Sequence, residues 1–174
     1  MGASRSGDFP ARSAHLAEEL GRRILVLDGA MGTMIQARDL SATDFGGAQY
    51  EGCNENLNLT RPDVVSDIHA AYLEAGADLI STNTFGCAPY VLAEYGLADR
   101  CHEITLAAAR LCRAAVDRVS TAERPRFALG AMGPGTRTIT VTANVTFDEV
   151  RDAYYQQARA LIEGGMDALL LETC

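Results

Sequence analysis

An α/β fold built from βα units around a parallel sheet is what this sequence predicts, on three observations. Four short apolar runs, ILVLDG (24–29), DLISTNTFG (78–86), FALGAMGPG (127–135) and DALLLETC (167–174), lack the alternation of a half-exposed strand and read as strands buried on both faces. Stretches of helical periodicity lie between them. Two joints share one grammar: YLEAGADLISTNTFG and LIEGGMDALLLETC each pass from a helix through a glycine stop and an aspartate into an apolar strand, as tight αβ connections of a parallel sheet do.

In chain order, residues 1–20 are polar and read as a disordered or irregular N-terminal segment without the apolar core of a signal peptide. The run at 24–29 is the first strand. Residues 37–58 are polar and glycine-rich and predict a long loop. RPDVVSDIHAAYLEAGA predicts a helix with Thr60 as N-cap and Pro62 in the first turn. Val64, Ile68, Tyr72 and Leu73 form its buried stripe, and Gly76 stops it. CHEITLAAARLCRAAVDRVS predicts a second helix with Ile104, Leu106, Leu111 and Val119 inward. TFDEVRDAYYQQARALIEGG predicts a third, capped by Thr146, with Asp148 and Glu149 in its first turn and Gly164-Gly165 at its end.

At 174 residues and 48% hydrophobic, the chain has the size of one ordinary domain and can bury a core. A net charge of −8 argues against a nucleic-acid surface or an anionic membrane, both of which call for basic patches. No apolar run approaches the roughly 20 residues of a membrane span. The five cysteines are odd in number and form no C-x-x-C pair, so they read as reduced thiols of a cytoplasmic protein.

Each apolar run ends on small and polar residues: Asp28-Gly29-Ala30-Met31-Gly32-Thr33, Thr82-Asn83-Thr84-Phe85-Gly86, Met132-Gly133-Pro134-Gly135-Thr136, and Glu172-Thr173-Cys174. In a parallel sheet these ends share one face, where both barrels and open sheets keep their sites. Asp28 and Glu172 are thereby expected at one rim. The competing reading is structural: Asp28 could cap the turn that follows it, and Asn83 could serve only a turn. Glu172, following three leucines, is a poor cap. DGAMGT lacks the lysine of a phosphate-binding loop. His69 and His102 have leucines at i+4 and start no metal pair, and Cys53 is a lone thiol in the long loop.

Together LDGAMGTMIQ, GCNENLNLTRPDVV, AYLEAGADLISTNTFG, ALGAMGPG and LIEGGMDALLLETC resemble the homocysteine S-methyltransferase family, in particular the N-terminal homocysteine-binding module of its cobalamin-dependent, methionine-forming members. The resemblance covers residues 20–174. It implies a (β/α)8 barrel of TIM type, a homocysteine site at the C-terminal rim, and transfer of a methyl group to the homocysteine sulfur. It also implies a zinc held by three cysteine thiolates, with cobalamin and folate on further modules. By motif, Asp28 and Glu172 would contact the amino-acid part of homocysteine, the Gly29 and Ala30 N–H groups would take its carboxylate, and Asn83 would line the pocket.

The zinc-binding cysteine motifs of the family are absent from this sequence, and none of the five cysteines matches them. The expectation is therefore no catalytic residue and no metal ligand among residues 1–174, with neither zinc nor cobalamin bound through the family's ligands. Four strands against the eight of a closed barrel make residues 21–174 the N-terminal half, a truncated chain inactive alone and completed by a C-terminal half-barrel. The alternatives are a non-catalytic amino-acid-binding half-barrel and a betaine- or S-methylmethionine-dependent homocysteine methyltransferase.

Overall fold

The computed structural model describes residues 8–136 and 145–173. Its elements are helices α1 (Phe9–Arg22), α2 (Met31–Gln36), α3 (Leu57–Thr60) and α4 (Pro62–Ala75), strand β1 (Leu79–Ser81), helices α5 (Pro89–Leu92) and α6 (Cys101–Val119), strand β2 (Phe127–Met132), helix α7 (Phe147–Glu163) and strand β3 (Ala168–Leu171). The three strands form a parallel sheet in the order β1-β2-β3, with Leu79 opposite Phe127 and Leu129 opposite Ala168. Strand order follows chain order, without the reversal that marks a doubly wound sheet.

The first apolar run is not the buried strand expected of it. It joins the sheet through a single parallel bridge, Leu27 to Leu79, supported by the Asp28 N–H to the Leu79 carbonyl at 2.9 Å and the Leu79 N–H to the Val26 carbonyl at 3.0 Å. Ile24 is 90% exposed and Val26 55%. The segment lies at the sheet edge, and apolar composition alone does not report whether a neighbour covers it.

The N-terminal expectation also needs correction. Residues 9–22 are helical, with Asp8 accepting from the Ala11 N–H at 3.2 Å and a proline in the first turn. Leu16 of α1 packs on Leu79, Phe127 and Leu129, covering one sheet face near the strand starts. The Ser13 hydroxyl donates to the Asp167 carbonyl at 2.7 Å. The opposite face carries α4, α6 and α7, whose Leu73, Ala109, Cys112, Val116 and Leu161 meet Ile80, Ala128 and Met132.

Helix boundaries follow local chemistry. Thr146 and Glu149 form a reciprocal capping box at the start of α7. Gly76 ends α4 at φ 111°, a left-handed conformation that favours glycine. Thr60 does not cap α4: it ends α3, its hydroxyl donates to the Asn56 carbonyl, and Arg61 occupies the N-cap position. In α6 the buried face is Cys101, Ile104, Thr105, Ala108, Ala109, Cys112, Ala115 and Val116. Leu106 and Leu111 are half-buried and Val119 is exposed, because small residues let α6 lie close to its neighbours. The closest approach is between α6 and α7: a methyl group on Gly164 would overlap the Ala109 Cβ. Gly164→Ala is expected to destabilise the chain by about 2 kcal/mol through overpacking, read as a lower urea midpoint.

The two similar joints share a device. Asp78 accepts from the Val26 N–H at 3.0 Å and pairs with Arg126 at 2.9 Å and Arg23 at 3.1 Å. Asp167 accepts from the Ala128 N–H at 2.7 Å and pairs with Arg113 at 2.9 Å. Each aspartate thus ties the start of its strand to the preceding segment of the sheet.

His69 in α4 is fully buried and neither ring nitrogen has a hydrogen-bond partner. Burial lowers its pKa from 6.5 to about 4, so the folded chain holds it neutral. A depressed folded pKa means the unfolded chain binds the proton first, and stability is lost as pH falls from 6.5 towards 4. The expected loss from this residue is about 2 kcal/mol by pH 5. Urea unfolding of wild type and His69→Leu at pH 7 and 5 checks it, since the variant should lack this component.

Candidate functional site

Asp28 ends the bridged first segment and Ser81 ends β1. The Asp28 carboxylate accepts from the Ser81 N–H at 2.8 Å and from the Ser81 hydroxyl at 3.0 Å. The capping alternative is therefore not realised: Ala30 occupies the N-cap position of α2, which has no side-chain cap. Glu172 follows β3, its own N–H donating to the Met132 carbonyl at 3.0 Å. Both carboxylates line one cleft of about 360 Å³, with Gly29, Ala30, Met31, Asn54, Glu55, Asn83 and Phe85 also on its walls. This cleft lies beyond the C-terminal ends of the strands.

Asn83 is buried and its side-chain amide is already engaged. It donates to the Asn54 carbonyl at 2.7 Å and to Asn58 Oδ1 at 3.3 Å, while Asn58 donates back to the Asn83 carbonyl at 2.8 Å. Asn83 thereby fastens the 54–58 segment to the rim. Gly29 lies against Tyr72, whose hydroxyl donates to the Ala30 carbonyl at 3.2 Å. Where a side chain on Gly29 would start, Tyr72 Oη is 3.0 Å away, so a larger residue here would push the Tyr72 ring aside.

Glu55 is a third carboxyl on the cleft wall, which the sequence does not single out. It lies within a 3₁₀ turn (Asn54–Asn56) of the polar loop, at no strand end, and its neighbours Asn54 and Asn56 give no chemical signal beyond polarity. One of its oxygens accepts from the Gly86 N–H at 2.8 Å.

The electrostatics are one-sided. Among the described residues the cleft walls carry Asp28, Glu55 and Glu172 and no lysine, arginine or histidine. Burial pushes the Asp28 carboxyl up to about 6; the two Ser81 hydrogen bonds oppose that shift and the Glu172 charge adds to it. Burial also raises the pKa of Glu172 and of Glu55. A cleft lined by several carboxyl groups is suited to a ligand that brings a cation. An ammonium group hydrogen-bonded to Asp28 and Glu172 would supply it.

The thiols belong elsewhere. Cys53, Cys87 and Cys101 sit in one apolar cluster with Leu92, Leu97 and Ile104, and Cys112 is fully buried behind the sheet. Burial pushes the Cys53 thiol up to about 11, with the Glu55 charge adding to the shift, and raises Cys87, Cys101 and Cys112. Metal ligation needs thiolates, which these surroundings disfavour. Among the described residues no three His, Cys, Asp or Glu side chains are grouped to hold a metal ion. No described helix is long and apolar enough to cross a membrane.

Comparison with known proteins places these observations. The family described as homocysteine S-methyltransferase matches residues 25–174. Methionine synthase of Mycobacterium tuberculosis (strain ATCC 25618 / H37Rv) is 46% identical over 159 residues, covering 91% of this chain. Methionine synthase of Mycobacterium leprae (strain TN) gives the same identity and coverage. The chain spans 13% of the length of these two relatives. Among solved structures, the metallated form of the homocysteine methyltransferase MmuM from Escherichia coli superposes with a TM-score of 0.73 at 21% identity, over 91% of this chain and 57% of that one. Its oxidised form gives 0.68 at 20% identity, over 86% and 53%. These structural likenesses show a shared fold. From the family match and the sequence identity together, the chain belongs to the homocysteine S-methyltransferase family.

Proposed function

We propose that residues 21–174 are the N-terminal half of a homocysteine-binding (β/α)8 barrel of methionine synthase type. In this reading the chain holds the amino acid whose sulfur receives a methyl group to give methionine. The observation that carries it is the convergence of Asp28 and Glu172, from opposite ends of the chain, on one cleft. A singly wound parallel sheet in the order of the chain, with α4, α6 and α7 packed on one of its faces, supports the half-barrel.

Each residue has a part in this proposal. Asp28 is oriented by Ser81 and, with Glu172, receives the substrate ammonium. The Gly29 and Ala30 N–H groups face the carboxylate. Asn83 keeps the opposite wall in place through Asn54 and Asn58. The zinc that the family resemblance implies does not fit the described cysteines, which are buried, held as neutral thiols and not arranged to hold an ion. A completing C-terminal half-barrel and modules that handle folate and cobalamin are the proposed partners, and the cytoplasm is the proposed location.

Calorimetric titration tests this reading. L-homocysteine is expected to bind at a single site, and N-acetyl-L-homocysteine, which lacks the ammonium, is expected not to bind. Equal binding of the two, or binding of neither, overturns it.

A further inference from the structure

Helix α7 reaches the cleft from behind. Gly130 in β2 has no side chain, and a Cβ there would lie 2.8 Å from Leu161 Cδ1 of α7, so helix and sheet approach closely at this point. Gln157 and Tyr154 share the Leu161 side of the helix. Gln157 is 1% exposed. Its side-chain amide donates to the Thr84 carbonyl at 2.7 Å and to the Ala131 carbonyl at 3.3 Å. The Tyr154 hydroxyl donates to the Gly133 carbonyl at 2.8 Å, and the Gly133 N–H to the Phe85 carbonyl at 3.1 Å.

These bonds stand where the two strands part. The register of β1 on β2 ends at Ser81 opposite Leu129, with one more bond from the Thr82 N–H to the Leu129 carbonyl at 2.9 Å. The chain then turns away from β2, and the Thr84 carbonyl accepts from the Cys87 N–H at 3.0 Å. Two hydroxyls bridge the widening gap. The Ala131 N–H donates to Thr82 Oγ1 at 3.0 Å, and the Thr84 hydroxyl donates to the Ala131 carbonyl at 2.7 Å. Gln157 binds both sides of the gap from the helix. Thr82, Thr84, Phe85 and Ala131 all line the cleft. A buried amide costs stability unless it is hydrogen-bonded, and a methionine would fill the same space without that cost. Packing alone therefore does not call for glutamine here.

We propose that Gln157 is a positioning residue for the amino-acid cleft, holding the ends of β1 and β2 at the separation that shapes the wall formed by Thr82, Thr84, Phe85 and Ala131. This rests on the amino-acid-binding function proposed above. Gln157 touches no ligand. It acts through the Thr84 and Ala131 carbonyls, and a wall fixed in advance need not be ordered when ligand arrives.

Two variants test the role. Gln157→Met keeps the shape and removes the donor. Gln157→Glu returns one donor, because a carboxyl buried this deeply stays neutral at pH 7. Dissociation constants for L-homocysteine are measured by calorimetry at pH 7 and referred to the folded fraction seen by circular dichroism. Gln157→Met is expected to weaken binding by about tenfold, the range for leaving a buried carbonyl unpaired, and Gln157→Glu to recover most of that loss. A role in packing alone would leave the affinity of folded molecules unchanged. Wild-type affinity in Gln157→Met, or a Gln157→Glu variant that binds no tighter than Gln157→Met, overturns the assignment. Failure of wild type to bind homocysteine overturns the proposed function and this role with it, whereas intact wild-type binding with unchanged variants overturns the role alone.

Discussion

Asp28→Asn is expected to weaken homocysteine binding by on the order of a hundredfold while leaving the fold as stable as wild type or more so. The two effects share one cause. The Asp28 carboxylate is half-buried near Glu172, and burial raises its pKa to about 6. That raised value means ionisation costs folding free energy: the stability contribution is fully present below the unfolded pKa and is lost as pH rises through about 6. Asparagine keeps an oxygen for the Ser81 N–H and removes the charge, so the cost disappears. Binding runs the other way. An ammonium needs the ionised carboxylate, and truncating one partner of a desolvated charge pair costs about 3 kcal/mol. Homocysteine affinity should therefore fall as pH drops through 6 in wild type. The Asp28→Asn variant should lack that transition. Calorimetry between pH 5 and 8, with urea unfolding of the same samples, measures both halves.

Asp78→Ala should produce the largest loss of stability, about 4 kcal/mol, because it strips a buried cation of its partner. The Arg126 side chain is 5% exposed and Asp78 is its only carboxylate partner among the described residues. Removing it also orphans the Val26 N–H that holds the edge segment to β1 and leaves Arg23 with Glu19 alone. Although burial of Asp78 pushes its pKa upward, the Val26 and Arg23 hydrogen bonds and the two guanidinium charges outweigh it and leave the carboxyl below its ordinary value. Wild type accordingly holds this stabilisation at neutral pH and loses it as pH falls into the acid range below the ordinary carboxylate value; Asp78→Ala should show no such component. Asp148→Ala, which breaks an exposed ion pair to Arg151, is the contrast, with an expected change below about 0.5 kcal/mol. Chemical denaturation of both variants reads the difference.

The parallel strands are legible because two-sided burial writes itself as unbroken apolar runs, and β1, β2 and β3 lie within such runs, although β3 at the sheet edge is only half-buried and its Leu171 is 62% exposed. The same signal misread residues 24–29, because an edge segment and a central strand can have one composition. Helix α1 had its cap and proline in plain view at Asp8 and Pro10, but its polar composition masked a single stripe built on Leu16. The aspartates of the two joints were visible as a repeat, yet their role was not, since Arg126 and Arg113 reach them from distant positions in the chain. Asp28, Asn83 and Glu172 could be picked out as polar residues terminating apolar runs. Glu55 and Asn54 could not, because nothing local separates a loop residue that turns towards a cleft from one that turns to solvent.

The central claim is that Asp28 and Glu172 together grip one ammonium group. A crystal structure of this chain with L-homocysteine tests it most directly. The expected result has the ligand nitrogen within hydrogen-bonding distance of both carboxylates, with the carboxylate of the ligand turned towards the Gly29–Ala30 turn. A ligand seated outside this cleft, or one whose nitrogen touches neither Asp28 nor Glu172, contradicts it.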